Sequence, residues 1–133
     1  MEQQLDLITL GRSCIDLYGQ QVGGRLEDMA SFAKYIGGSP TNTAVGASRL
    51  GLRTGLVTRV GADHFGRFIR EQLQREGVST RGIRDDSERL TALVFLGIRD
   101  PDTFPLVFYR ENCADMALQA VDLEPAFLQS ARA

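Results

Sequence analysis

The sequence predicts an α/β protein in which helices pack on a mostly parallel sheet and a second, smaller sheet lies beside them. The short apolar run 5–10 is typical of a buried strand, a second strand is predicted at 54–60, and each stops at a glycine. Helical patterns follow at 39–50 and 64–76, so strands and helices alternate along the chain. This alternation is typical of a parallel sheet covered by helices.

Composition and charge restrict the classes of function. The 133 residues are 43% hydrophobic and 24% charged, which is enough for one globular domain with a buried core. The net charge of -2 and the lack of a basic run argue against nucleic-acid binding. The longest apolar run, 92–98, is too short to span a bilayer, and the first residues lack the positive start of a secretory signal. We therefore expect a cytoplasmic protein with neither a nucleic-acid nor a membrane partner.

The cysteines and the histidine indicate no metal or redox centre. Cys14 and Cys113 fit no metal-ligand spacing, so two reduced thiols are predicted rather than a disulfide. The single histidine, His64, cannot build a metal cluster alone. No metal site is therefore predicted in this chain.

The first helix is predicted within the stretch YIGGSPTNTAVGASRLG, residues 35–51. Ser39 is predicted as its N-cap and Pro40 as its first residue, because an N–H at that position would have no helical partner anyway. Gly51 suits the C′ position just past the helix end. Small side chains along this helix allow close packing on a sheet.

The second helix is predicted to start at His64, with Asp63 as its N-cap, and to end at Gly77. One face of this helix is apolar, and the opposite face is charged. The last segment, 122–133, is predicted to begin as another helix.

Two pairs of extended segments are expected to form the second sheet. The segments 15–21 and 29–36 flank the Gly23-Gly24 turn, which predicts a small antiparallel pair. The segments 90–98 and 104–109 flank a turn that holds a proline and two aspartates, which predicts a hairpin.

A group of polar residues and glycines near the predicted strand ends is the candidate site. Asp16, the Gly37-Gly38 pair, Asn42 and Arg110 lie where α/β proteins bind ligands. A carboxylate accepts two hydroxyl hydrogens, an amide donates and accepts, and glycines let backbone N–H groups come close. The set suits a polyhydroxylated ligand. Taken singly, Asp16 is equally explained as a turn former, Asn42 as an exposed helix residue and the glycine pair as a plain turn.

The spacing of these residues resembles that of the ribokinase/PfkB carbohydrate kinase family. The family has a glycine pair, an asparagine shortly after it and later small residues and glycines. Those positions are filled here by Gly37, Gly38, Pro40, Asn42, Ala44, Gly51 and Gly61. The segment 11–16 matches the family's glycine-containing turn that leads to a sugar-binding aspartate. The resemblance implies the N-terminal part of a ribokinase-like three-layer α/β/α fold, with 1–133 as the substrate-binding part and lid segments at about 15–36 and 90–110.

The resemblance also implies a function, namely ATP-dependent phosphorylation of a sugar or sugar acid with Mg²⁺ in the intact enzyme. Asp16, Gly37, Gly38 and Asn42 would hold the acceptor. Ribokinase itself has an asparagine and a lysine where this chain has Cys14 and Ser39, so ribose is not expected. Two longer stretches, 11–42 and 90–118, resemble most the members that act on a sugar acid of inositol catabolism.

A sugar acid would bring a carboxylate into the site. The resemblance assigns Arg110 to this carboxylate, because an arginine makes two-pronged, charge-assisted contacts. On chemical grounds alone, a pairing of Arg110 with Glu111, Asp115 or solvent is an equal alternative. A kinase for fructose or for another keto sugar acid is the alternative within the family.

No catalytic or ATP-binding residue is predicted in this chain. The family's catalytic aspartate, anion hole and ATP pocket belong to a later segment. Gly61-Ala62-Asp63 superficially resembles the family's catalytic motif, but helix capping explains Asp63. We therefore expect an N-terminal fragment that is inactive alone. The alternative from another class is a non-catalytic carbohydrate-binding or assembly module with the same fold. The resemblance also makes the lid sheet a candidate homodimer interface.

Overall fold

The structure, a computed structural model, describes residues 4–133. Its helices and strands form two sheets with helices packed against one of them. The strands are β1 Leu7–Leu10, β2 Cys14–Gly19, β3 Phe32–Gly37, β4 Thr54–Gly61, β5 Ile83–Asp86, β6 Ala92–Leu96 and β7 Leu106–Tyr109. The α-helices are α1 Ser39–Arg49, α2 His64–Arg75 and α3 Pro125–Gln129. Short 3-10 helices lie at Leu26–Asp28, Ala114–Ala117 and Ala120–Asp122.

The main sheet is parallel, with the strand order β1-β4-β5. Its central strand β4 is buried along almost its whole length, as expected for a strand with parallel neighbours on both sides. Side chains from β4 and α2 form the core together with Ile15 of β2. The predicted α/β arrangement is therefore confirmed.

The chain beyond α3 returns to the main sheet. The backbone N–H of Leu5 donates to the carbonyl of Ser130 at 2.8 Å, and that of Ile8 donates to Ala133 at 2.9 Å. The helix predicted to begin within 122–133 is consequently short, because its last residues pair with the edge of β1 instead of continuing the helix.

The sequence pattern does not predict β5. This strand reads Ile-Arg-Asp-Asp and carries a single apolar residue, Ile83. It forms because its backbone pairs with β4 from Thr58 to Gly61 and because Arg70 of α2 donates to the carbonyl of Ile83 at 3.1 Å. Tertiary pairing, rather than side-chain periodicity, makes this segment a strand.

The small sheet has the order β3-β2-β6-β7, which confirms that the two excursions of the chain join in a second sheet. β2 runs antiparallel to β3 and parallel to β6, and β6 and β7 form the predicted hairpin. Residues opposite each other in the register share a face. One face therefore carries Asp16, Tyr35, Val94 and Phe108, and the other packs on the main core.

The start of α1 corrects one prediction. The N-cap is Gly38, and Ser39 is already the first helical residue, with no side-chain capping bond at this helix start. Gly38 has a φ of 100°, a region that glycine enters at little cost. The tertiary path of the chain requires this conformation one residue before the predicted cap. Gly51 takes the predicted position after the helix, with a φ of 95°.

The predicted cap of α2 is confirmed, and it also fastens the small sheet. Asp63 accepts from the backbone N–H of Gly66 at 2.8 Å and from the Thr91 hydroxyl at 2.8 Å. Its second oxygen accepts from the backbone N–H of Thr91 at 3.0 Å. Burial opposes ionisation of Asp63, but these bonds from Thr91 and Gly66 outweigh it and lower its pKa. One carboxylate thus joins α2 to the residue that precedes β6.

Replacement Asp63→Ala should lower the free energy of unfolding by at least the ~1–2 kcal/mol of a lost N-cap, because Thr91 loses its partner as well. Urea denaturation measures this loss. Because the pKa of Asp63 is lowered on folding, the loss should be full above the ordinary carboxyl value of 3.8 and should shrink as the pH falls below it. Asp85→Ala, at an exposed ion pair with Arg70, is the control. Equal losses in both variants would contradict the assigned role.

Two glycines of the α1 region should respond in opposite ways to alanine. Gly38→Ala should destabilise by about 1–3 kcal/mol, because the backbone conformation is costly for alanine. A Cβ would also lie 2.5 Å from the carbonyl oxygen of Arg12. Gly46 lies inside α1 with open space around its Cβ position, so Gly46→Ala should stabilise by up to ~1 kcal/mol. Thermal unfolding of the two variants checks the signs, and the same sign in both would refute this account.

Candidate functional site

The candidate site begins where β2 and β3 pair at the base of the small sheet. Cys14 lies opposite Gly37, and Asp16 lies opposite Tyr35. A Cβ built on Gly37 would lie 2.3 Å from both carboxylate oxygens of Asp16. Glycine at position 37 therefore leaves the space that the carboxylate occupies, which explains the first glycine of the pair.

The second glycine brings the main sheet and the small sheet together. Gly38 lies against the backbone of Arg12, which follows β1. The Thr41 hydroxyl donates to the carbonyl of Arg12 at 3.1 Å, and the Thr9 hydroxyl donates to that of Pro40 at 2.8 Å. These bonds hold the loop after β1 on the first turn of α1. The site is therefore built on fixed backbone rather than on a free loop.

A cavity of about 590 Å³ brings two predicted residues together, Asp16 from β2 and Asn42 from α1. Its volume lies in the range of small-ligand sites. Its walls combine polar groups with aromatic and aliphatic surface. The remaining lining residues are Tyr18, Gly19, Gln20, Ala33, Tyr35, Ile36 and Ile98.

The carboxylate of Asp16 retains capacity for ligand hydroxyls. Within residues 4–133 its side chain accepts from one group, the thiol of Cys14, at a long 3.4 Å. Burial raises the pKa of Asp16, while the Cys14 thiol and the charge of Arg12 act in the opposite direction. Burial, and then the charge of Asp16, raise the pKa of Cys14 to about 12, so this thiol stays protonated and is the donor of the pair.

Two tyrosines frame Asp16 and were not singled out from the sequence. Tyr18 follows Asp16 by two positions on β2, and Tyr35 lies opposite Asp16 on β3. Their rings meet edge to face, with centroids 5.4 Å apart. The place of Tyr18 can be expected from the sequence, because side chains two positions apart on a strand lie on the same face. The place of Tyr35 depends on the register between β2 and β3, which the local pattern does not contain.

Arg110 does not line this cavity. Its Nε donates to Asp115 Oδ2 at 3.1 Å, and the side chain of Asp115 is fully buried. Asn112, with a φ of 47°, turns the chain between the two residues. This pairing is one of the alternatives that chemical reasoning left open for Arg110.

A second arginine, Arg12, precedes β2 and extends its side chain towards β7. Its guanidinium carbon lies 5.9 Å from the centroid of the Phe108 ring on β7. Arg12 also acts electrostatically on Asp16. Sequence reasoning placed Arg12 only within the turn after β1, since nothing in the local pattern indicates where its side chain goes.

The described part of the chain contains no group of three or more His, Cys, Asp or Glu side chains arranged to hold a metal ion. Both cysteines carry free, buried thiols. Among residues 4–133, no helix has the length and apolar character needed to cross a membrane.

Two proteins that are similar to this chain in sequence carry the same enzyme name. The chain is 39% identical over 132 residues to 5-dehydro-2-deoxygluconokinase of Listeria monocytogenes serotype 4a, covering 98% of this chain and 41% of that protein. It is also 39% identical over 132 residues to the protein of the same name from Geobacillus thermodenitrificans, covering 98% and 39%. The chain thus spans about two fifths of the length of these relatives.

Solved structures share the fold over nearly the whole chain. The PfkB protein of Polaromonas sp. JS666 superposes with a TM-score of 0.87 at 33% identity, covering 96% of this chain and 42% of that one. A sugar kinase of Pyrococcus horikoshii in complex with ATP gives 0.85 at 34% identity, covering 92% and 39%. Fructokinase of Halothermothrix orenii gives 0.82 at 34% identity, covering 96% and 44%.

These neighbours confirm the ribokinase-like α/β fold that the sequence predicts. The family model described as pfkB family carbohydrate kinase matches residues 4–133, which is all of the described chain. Asp16 and Asn42 thus line one cavity within a fold that sugar kinases share, and the chain belongs to the pfkB family of carbohydrate kinases.

Proposed function

We propose that this chain is the acceptor-binding part of an ATP-dependent sugar-acid kinase. The proposed acceptor is 5-dehydro-2-deoxy-D-gluconate, phosphorylated at its 6-position in myo-inositol catabolism. The observation that carries the proposal is the carboxylate of Asp16, which keeps free acceptor capacity in a cavity shared with Asn42. The relatives named 5-dehydro-2-deoxygluconokinase support the choice of acceptor. The pathway and a cytoplasmic location remain predictions.

In this proposal the acceptor's hydroxyl groups bind at the base of the small sheet. Asp16 accepts hydroxyl hydrogens, and Asn42, exposed on the first turn of α1, both donates and accepts. Gly37 and Gly38 are buried and do not line the cavity; their proposed role is to leave room for the Asp16 carboxylate and the Arg12 carbonyl beside the ligand. Tyr18 and Tyr35 supply apolar surface against the carbon skeleton of the sugar. The small sheet then acts as the lid over the acceptor.

The carboxylate of the acceptor is assigned to Arg110. The bond from its Nε to Asp115 orients the guanidinium, so its two terminal nitrogens are the groups proposed to meet the ligand. Because the buried Asp115 depends on this arginine for its charge partner, the contact also holds the segment after β7 in place.

ATP is the proposed phosphoryl donor, and Mg²⁺ is its proposed companion ion. The ATP complex of the Pyrococcus horikoshii relative supports ATP. The described residues include no group of three or more His, Cys, Asp or Glu side chains arranged for a metal ion, and no residue of this chain is assigned to ATP or Mg²⁺. We therefore propose that residues 1–133 alone do not catalyse phosphoryl transfer.

Two further proposals depend on particular observations. The likeness to Halothermothrix orenii fructokinase makes fructose the alternative acceptor. All four residues of β7 are exposed although they are apolar or aromatic, which favours a homodimer through the small sheet. The same surface would also suit a non-catalytic assembly module, which is the alternative to an enzyme.

Kinase activity is expected from the protein that carries this chain together with an ATP-binding part. A coupled ADP-release assay with 5-dehydro-2-deoxygluconate, fructose and ribose should give the highest kcat/KM for the sugar acid. Equal rates on all three would refute the sugar-acid assignment. A natural stop codon directly after Ala133 would refute the kinase proposal for this chain and favour the assembly module.

Removal of either polar group from the site should weaken binding of the acceptor. Asn42→Ala should cost more than the ~1 kcal/mol of a neutral hydrogen bond, and Asp16→Ala about 1.5–3 kcal/mol, because its acceptor is charged. Isothermal titration with the sugar acid measures both. Asp102→Ala in the exposed β6–β7 turn and Thr43→Ala on α1 are the matched controls. Unchanged affinity in both site variants would remove the assignment.

A further inference from the structure

Arg12 connects the two halves of the candidate site. Its backbone lies against Gly38, and its carbonyl accepts from the Thr41 hydroxyl at the start of α1. Its side chain extends to Phe108 on β7, an edge strand of the small sheet. The register places Phe108 opposite Val94 and Val94 opposite Asp16, so Phe108 and Asp16 share a face. The guanidinium of Arg12 therefore lies beside the face of the small sheet that carries Asp16, although Arg12, like Arg110, does not itself line the cavity.

Arg12 differs from Arg110 and Arg59 because it has no carboxylate partner among the described residues. Arg110 pairs with Asp115 at 3.1 Å, and Arg59 pairs with Asp86 at 3.1 Å. In the described part of the chain, by contrast, no carboxylate lies within 4.0 Å of the guanidinium nitrogens of Arg12. The influence of Arg12 on Asp16 acts over a longer range. A half-buried cation over an aromatic ring is thus left without an anion.

This arrangement is suited to a ligand that carries its own carboxylate. Phe108 attracts the cation through its ring face, but a planar guanidinium binds a carboxylate in a stronger, two-pronged way. Asp16 and Arg12 present opposite charges to one ligand, an acceptor for hydroxyl hydrogens and a donor for a carboxylate. A neutral sugar would use Asp16 alone, whereas a sugar acid would use both.

We infer that Arg12 is a specificity-determining residue that receives the carboxylate of the acceptor. The inference rests on the proposed function and adds a residue to it. Arg110, two positions beyond Phe108 and held by Asp115 through Nε, supplies a second contact to the same carboxylate. The preference for a sugar acid over a neutral ketose then depends chiefly on the turn after β1.

The test compares acceptors in the protein that carries this chain together with an ATP-binding part. Arg12→Gln should raise KM for 5-dehydro-2-deoxygluconate by about 10- to 100-fold, the range of one charge-assisted hydrogen bond, and should change kcat much less. KM for fructose should hardly change. Arg12→Lys should restore part of the loss, because it returns the charge without the planar fork. Arg99→Gln, in the exposed turn after β6, should behave as wild type.

Two outcomes would overturn the inference. One is an equal rise of KM for the sugar acid and for fructose, which would point to a structural role of Arg12. The other is unchanged discrimination in Arg12→Gln together with its loss in Arg110→Gln. Thermal unfolding checks that each variant is folded, and Gln keeps most of the arginine's length.

Direct binding separates this inference from the proposed function. Isothermal titration of wild type and Arg12→Gln with the sugar acid and with fructose requires no turnover. If the wild-type protein has no kinase activity but binds the sugar acid through Arg12, the proposed function fails and the inference stands. If it phosphorylates sugars but binds the sugar acid equally with and without Arg12, the inference fails and the kinase function stands.

Discussion

The close approach of Gly38 to the carbonyl of Arg12 is the contact on which the rest of the structure depends. Gly38 follows the last strand residue of β3 and precedes α1, and Arg12 follows β1, so the contact fixes the small sheet to the carboxyl edge of the main sheet. A side chain at position 38 would have no room there. From this junction β2 leaves beside β3, which sets Asp16 above the edge where α/β proteins bind ligands.

The site combines a stabilised backbone with an unsatisfied carboxylate. Hydrogen bonds from Thr9 and Thr41 hold the junction, whereas Asp16 accepts only a long bond from a thiol within the described chain. Partial burial of an ionised group without strong donors costs stability. Natural proteins accept such a cost at binding sites, where a ligand supplies the missing partners. The same reasoning applies to Arg12, whose charge partner is likewise left to a ligand.

Features encoded locally could be predicted from the sequence, and features set by tertiary contacts could not. Asp63 and Gly51 mark helix ends through their own side chain or backbone freedom, and both positions are confirmed. The cap at Ser39 was wrong, because the left-handed turn at Gly38 follows from the path between two sheets. The polar strand β5 forms only through its neighbour β4. The direction of the Arg12 side chain depends on where β7 lies, which no short-range pattern contains.

The pairing of β2 with β6 has a consequence for how the chain folds. These strands belong to separate excursions, and all of α1, β4, α2 and β5 lies between them in the chain. Contacts between residues so distant in sequence close a long loop, and such contacts form late and slowly. The main sheet, built from nearer segments, can assemble first. During synthesis β2 and β3 would therefore form a two-stranded pair that has only the main core to pack against until β6 has emerged.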